Sequence, residues 1–229
     1  MHFALIALLV VILVFGPRIW IAVVMRWHGQ DIPGMPGTGG ELAEHLVNEH
    51  GLDGVVVERT DSLGDHYDPI ARAVRLSPQI YDGKSLTAVA VAAHEVGHAV
   101  QHRDDYSGLR MRTRLAPMVH RLGRLSVIVM SVAPIMGALT RHPVPFSLLV
   151  AVGLSGLIAR MGLHLLTLPT EWDASFGRAL PMLRAGQYIA PGEERAVARV
   201  LRAAAWTYFA AALADVLNLA RWATLLLRR

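Results

Sequence analysis

The chain contains no cysteine. That excludes disulfides, a cysteine nucleophile and thiolate zinc ligands, though it does not fix the compartment. Charge is scarce too. Asp, Glu, Lys and Arg make up 17% of the 229 residues, against 53% hydrophobic. A chain so poor in charge either buries an unusually large core or sits in lipid. Its apolar residues fall in long blocks instead of at regular intervals, which favours lipid. Lysine is represented by Lys84 alone. The other basic residues are arginines, many of them flanking apolar blocks, and together they leave a net charge of +4. There is no basic stripe with interleaved aromatics of the kind a nucleic-acid reader carries, so nucleic acid is not an expected partner.

Four blocks can be followed along the chain. Phe3 to Met25 is apolar except at Gly16, Pro17 and Arg18, and is long enough to cross about 30 Å of hydrocarbon. The start "MHFALIALLV" has neither a basic n-region nor a small-residue cleavage site, so a retained anchor over residues 1–27 is expected, not a cleaved signal peptide. "DIPGMPGTGG" is a linker. Thr38 can cap a helix ending near Gly51, "GVVVERT" and "AVRLSP" read as strands, "GDHYDP" as a loop or strand edge, and Ser85 as the cap of a helix from about Leu86 to Arg103. From Tyr106 to Arg124 the chain is basic and amphipathic, suiting a headgroup surface. Residues 28–124 are thus expected to form a soluble domain, and 125–168 two transmembrane helices joined by the turn "RHPVP". Residues 169–202 read as a helical segment and 203–229 as a C-terminal hydrophobic helix. Asp215 and Arg221 make a buried or interfacial helix there nearly as apt as a full span. The expected fold class is α+β: a mainly helical, multi-pass integral membrane protein of three to four transmembrane helices with a small soluble domain.

Charge sets the expected orientation. The turn between the second and third blocks holds Arg141 alone. The other side holds Arg26, six arginines from Arg103 to Arg124 and five from Arg178 to Arg202. Basic residues favour the cytoplasmic side, which places the soluble domain and the segment after Leu168 there, at the inner (cytoplasmic) membrane.

The stretch "VAVAAHEVGHAVQH" carries the chemistry. It looks apolar enough to be buried, yet holds three histidines and a glutamate. His94 and His98 are four residues apart, hence on one helix face, where two imidazoles can share a zinc ion. Glu95 is rotated by about 100° from His94, where it can reach a metal-bound water as general base. The alternative is a pair of core histidines satisfied by backbone carbonyls. His102 lies about 12 Å along the helix from His94, too far to share the ion. Nor does "HEVGHAVQH" fit the longer HExxHxxGxxH pattern, because Gln101 stands at the glycine position. Zinc needs a third protein ligand, and a carboxylate from elsewhere is the usual alternative. Glu193 and Glu194 suit a helix start, and Glu41, Glu44 and Glu49 a polar helix face. Glu171 differs, lying directly after a membrane block on a helix that Pro169 can begin or kink, although a first-turn helix glutamate is an alternative reading.

Four stretches together, "DHYDP", "VRLSP", "AVAAHEVGHAVQH" and "TLPTEWDASFGRAL", resemble the YugP-type neutral zinc metallopeptidases of bacterial membranes. The resemblance covers most of the chain. It implies a zincin-like domain carrying the HExxH helix and a membrane-embedded, gluzincin-like peptidase, loosely similar to HtpX-type proteases. It also implies one catalytic Zn2+, with Glu171 as the third ligand beside His94 and His98. One departure stands out. In the HtpX-like pattern an aspartate four residues after the ligand glutamate supports a histidine. Here that position is Ser175, and the aspartate is Asp173, which becomes the first candidate for the supporting role.

The expected reaction is zinc-dependent endopeptidase hydrolysis of a protein or peptide substrate, with a zinc-activated water and Glu95 as general base. His66 and Tyr67 are candidate oxyanion donors, against a reading of "DHYD" as a polar turn formed by Asp65 and Asp68. Arg160 and His164 suit either the bundle interior or the membrane interface. The alternative function is a non-catalytic membrane scaffold with a structural zinc site. A transporter would need more polar residues in the spans than Arg160, His164 and Asp215.

Overall fold

A computed structural model describes residues 2–61, 64–140 and 143–227. In chain order they form α1 (His2–Trp27), α2 (Gly39–Glu49), β1 (Val56–Arg59), β2 (His66–Asp68), β3 (Ala73–Leu76), α3 (Pro78–Tyr81), α4 (Leu86–Arg103), α5 (Ser107–Thr140) and α6 (Pro143–Trp172). A π-helical segment, Asp173–Ala179, follows α6 without a break, and α7 (Leu180–Ala185) and α8 (Glu194–Leu227) complete the chain.

Local chemistry explains where these elements begin. Thr38 Oγ1 accepts from Glu41 N at 3.2 Å while Thr38 N donates to Glu41 Oε2 at 2.8 Å, a reciprocal cap for α2. Ser85 Oγ accepts from Ala88 N at 3.1 Å and caps α4. The linker after α1 is pinned to the start of α4: Ile32 N donates to Lys84 O at 2.8 Å, and Thr87 Oγ1 to Met25 O at 2.9 Å. The sheet has the order β1-β3-β2. β1 runs parallel to β3 in the register Val56↔Ala73 to Arg59↔Leu76, and β2 runs antiparallel to β3 with Tyr67 opposite Val74.

The chain divides into two compact units, Met1–Arg110 with Leu168–Thr207, and Met111–Thr167 with Tyr208–Arg229. In the first, α4 is the central rod. Every residue from Leu86 to Gln101 is buried, and α2, α3, β2, β3, the π-helical segment and α7 all pack on it. A helix enclosed on all sides needs small residues so that neighbours can approach, and α4 supplies Ala88, Ala90, Ala92, Ala93, Gly97 and Ala99. Leu46, Leu76, Val96, Leu183, Val200 and Leu201 complete this core, each fully buried.

The second unit carries large apolar side chains on its outside. Ile128, Ile135, Leu139, Leu148 and Ile158 are exposed, while Ser126, Thr167 and Asp215 are buried. The buried polar groups lie among buried apolar side chains such as Met130, Leu157 and Leu163, and large apolar side chains facing outward as well suit a lipid solvent. Among the described residues, three helical stretches, Ser107–Leu139, Phe146–Ala185 and Glu194–Leu219, are long and apolar enough to cross a membrane. An added Cβ at Gly156 would collide with Ser126 Oγ, so α5 and α6 meet through a glycine, as close-packed membrane helices do. One difference from the sequence reading appears. The basic stretch after Tyr106 and the following apolar block form one continuous helix, α5, despite Pro117 and Pro134. The turn residue Arg141 lies outside the described residues.

The cap of α4 yields a stability prediction. Ser85→Ala should cost about 1 kcal/mol by leaving Ala88 N without its acceptor. Thermal denaturation of the purified chain in detergent should show a lowered midpoint.

Candidate metal centre

His94 and His98 stand one turn apart on the buried rod α4, their rings 4.7 Å apart between centroids and nearly perpendicular. Glu171, in the last turn of α6, meets both, 77 residues after His94 in sequence. Its Oε2 lies 3.2 Å from His94 Nε2 and 3.4 Å from His98 Nε2. The three residues are 4%, 4% and 2% exposed, and each offers one ligand-type atom within 4.8 Å of the others. Glu95, the next residue on α4, is buried as well.

The π-helical segment puts Glu171 there. It packs against α4, and an added Cβ at Gly97 would lie 2.7 Å from the carbonyl oxygen of Ala174. The glycine inside "HEVGH" is therefore the point at which the two helices touch backbone to backbone. The wide turn also presents Ser175 to the far side of the His94 ring, with Oγ 3.0 Å from Nδ1. Ser175 Oγ donates its one proton to Leu201 O at 3.3 Å, so it accepts from His94 Nδ1–H, which leaves Nε2 as a lone-pair donor facing Glu171. The position four residues after Glu171 does support a histidine, through a hydroxyl and not a carboxylate.

Asp173 acts less directly. Its Oδ2 accepts from Gln101 Nε2 at 2.8 Å and from Arg178 Nε at 2.9 Å, and it is Gln101 Oε1 that meets His98 Nδ1, at 2.9 Å. Arg178 continues to Asp104, where its guanidinium, with that of Arg103, holds the Asp104 carboxyl below the usual carboxylate range against the opposing effect of burial. Gln101 is fully buried. Its only sequence signal was that it stands at the glycine position of the longer HExxHxxGxxH pattern, three positions after His98.

The other candidates fall elsewhere. His102 is outside the three-residue group and meets the Tyr67 hydroxyl through Nδ1 at 2.8 Å. Burial pushes the Tyr67 phenol up to about 12, so it remains a proton donor at neutral pH. His66 Nδ1 lies 2.9 Å from Gly64 O. Asp68 Oδ1 accepts from Ile70 N and Ala71 N, and Asp65 Oδ1 from Ser77 N, so both aspartates order local backbone. Glu41 caps α2, Glu44 and Glu49 meet Tyr81 and Tyr188, Glu193 accepts from Ala190 N, and Glu194 pairs with Arg184. Arg160 and His164 gather around Asp215 within the second unit.

Two imidazole nitrogens and a carboxylate oxygen turned toward one another form a set of electron-pair donors, the N/N/O set that suits zinc. His94 Nε2 has no proton to offer in this arrangement, so a cation fits the cluster better than a hydrogen bond does.

Long apolar helices joined to a buried His-His-Glu centre define a membrane protein with a candidate metal site. The chain belongs to the family described as "Putative neutral zinc metallopeptidase", which it matches over residues 3–227. It is also 37% identical to the "Putative membrane protease YugP" of Bacillus subtilis (strain 168) over 191 residues, 83% of this chain and 81% of that one. No solved structure matches the chain.

The contact at Gly97 is testable. Gly97→Ala should force α4 away from the backbone of Ala174, at a cost of about 1–3 kcal/mol, the usual range for overpacking. A lowered denaturation midpoint, together with reduced zinc content of the purified protein, would be the expected result. Unchanged values would mean that the two helices can separate freely.

Proposed function

We propose that the chain is a membrane-embedded zinc-dependent endopeptidase in which His94, His98 and Glu171 hold one zinc ion and Glu95 is the general base. The observation that carries this reading is the convergence of Glu171, from 77 residues away, on the two histidines of the HExxH motif. Among the described residues three protein donors converge, which favours a catalytic site over a structural one, because a catalytic ion keeps a position open. Bound there, zinc supplies Lewis-acid polarisation and makes water a stronger acid. Glu95 then accepts a proton from the attacking water on its carboxylate and returns it to the departing amine nitrogen. Ser175 and Gln101 hold the two rings in place while this happens. In this reading a zincin-like soluble part joined to apolar helices hydrolyses protein or peptide substrates beside the bilayer. Arginine distribution favours a cytoplasmic-side centre in the cytoplasmic membrane, with α1 as a further anchor.

Glu95→Gln separates chemistry from binding. The variant should keep zinc and lose proteolysis of a generic protein substrate by about 100-fold or more, the typical scale for losing a general base. Proteolysis at the unsubstituted rate would sink the assignment. Glu171→Ala should lose zinc, as read by metal analysis after dialysis, and undiminished metal would remove Glu171 from the site.

A further inference from the structure

We propose that Gln101 is a positioning residue for His98. It fixes the ring in the form that carries its proton on Nδ1 and offers the Nε2 lone pair toward Glu171. The proposal rests on the reading of His94, His98 and Glu171 as a zinc site.

The amide orientation follows from its neighbours. One end of the Gln101 amide lies 2.8 Å from the carbonyl oxygen of Thr170 and 2.8 Å from Asp173 Oδ2. A carbonyl oxygen and an ionised carboxylate both only accept, so that end is the NH2 group, with both hydrogens engaged. The other end is the carbonyl oxygen, and it faces His98 Nδ1 at 2.9 Å. A carbonyl there requires Nδ1–H. A neutral imidazole protonated on Nδ1 has its free lone pair on Nε2, the atom 3.4 Å from Glu171 Oε2. Turning the amide over would set its oxygen against two acceptors and its NH2 against the ring. Gln101 is fully buried, so no solvent can relieve that mismatch.

The residue type follows from the same geometry. Glutamate would keep an acceptor for His98 but set a second carboxylate against Asp173, which Arg178 holds in place. Leucine would fill the volume and leave His98 Nδ1 and the Thr170 carbonyl without this partner. Glutamine has an acceptor for the ring and two donors, one for Thr170 at the end of α6 and one for Asp173 in the π-helical segment. It thereby ties the tautomer of one candidate ligand, His98, to the residues on either side of the other, Glu171.

The test uses the full chain in detergent. Zinc affinity is measured by competition with a chelator, and folding by thermal denaturation of the zinc-free protein. Gln101→Leu should weaken zinc binding by about 10- to 100-fold, the scale on which a ligand's hydrogen-bond partner acts, with the zinc-free protein still folded. Gln101→Glu should also bind more weakly, and adding Asp173→Asn should recover part of that loss, because an asparagine can donate where the aspartate repelled. A role in packing alone predicts no loss in Gln101→Leu and no recovery in the double variant, and either result overturns the proposal. If Gln101→Leu fails to fold, the comparison of Gln101→Glu with the double variant decides alone. Zinc bound by the unsubstituted chain and equally by Gln101→Leu would overturn only the role of Gln101. An unsubstituted chain that binds no zinc would overturn the metal site as well.

Discussion

The burial of one carboxylate against two imidazoles is the constraint on which the first unit depends. Glu171 is 2% exposed, and an ionised carboxylate left alone in such a place would cost several kcal/mol. Everything around it serves to satisfy these three groups. His94 stands between residues four apart in sequence, with Ser175 accepting from its Nδ1 and Glu171 facing its Nε2. In a regular α-helix, residues at that spacing stack on one face. Holding an imidazole between them needs a change in the helix, and the π-helical turn beginning at Asp173 supplies it.

The same constraint explains the composition of α4. A helix that meets neighbours on every side and also carries a polar centre can have little bulk. Gly97 lets the backbone of Ala174 approach, and the alanines on either side of the motif leave room for α2 and α3. Outward from His98 the polar chain continues through Gln101, Asp173 and Arg178 to Asp104, passing from full burial to the surface. Each link is a donor facing an acceptor, and the arginine sits between two carboxylates. Such a network is worth having only when every member is satisfied, since a half-satisfied one is worse than an apolar core.

Much of this was legible in the sequence because it depends on local chemistry. The caps Thr38 and Ser85, the two longer strands and the limits of α4 follow from residues within a few positions of one another. His94, His98 and the exclusion of His102 follow from helix geometry alone. Glu171 stood out because it followed an apolar block directly. What escaped the sequence has one physical cause: it depends on two distant segments at once. Ser175 looked like a lost aspartate until the π-helical turn brought its hydroxyl to His94. Gln101 looked like a failed match to a longer motif, yet it reaches His98, Thr170 and Asp173 together. No periodicity within α4 or the π-helical segment announces a partner some 70 residues away.

Asp215 shows the same lesson from the opposite side. In the sequence its charge counted against a spanning helix. In the second unit it is 2% exposed, and Arg160 Nε lies 3.0 Å from each of its carboxylate oxygens, with His164 Nε2 3.7 Å from one of them. A carboxylate gripped at both oxygens by a guanidinium is close to a neutral dipole, and such paired contacts are the strongest available between side chains. The desolvation cost of the pair is offset only while both members stay in that geometry. A hydropathy count along one helix charges Arg160 and Asp215 as two separate penalties, although in the fold they are one neutral group. The pair therefore does not disqualify either helix from crossing a membrane. It fixes α6 and α8 in one register within that unit, because sliding either helix by a residue would strand a charge in an apolar interior.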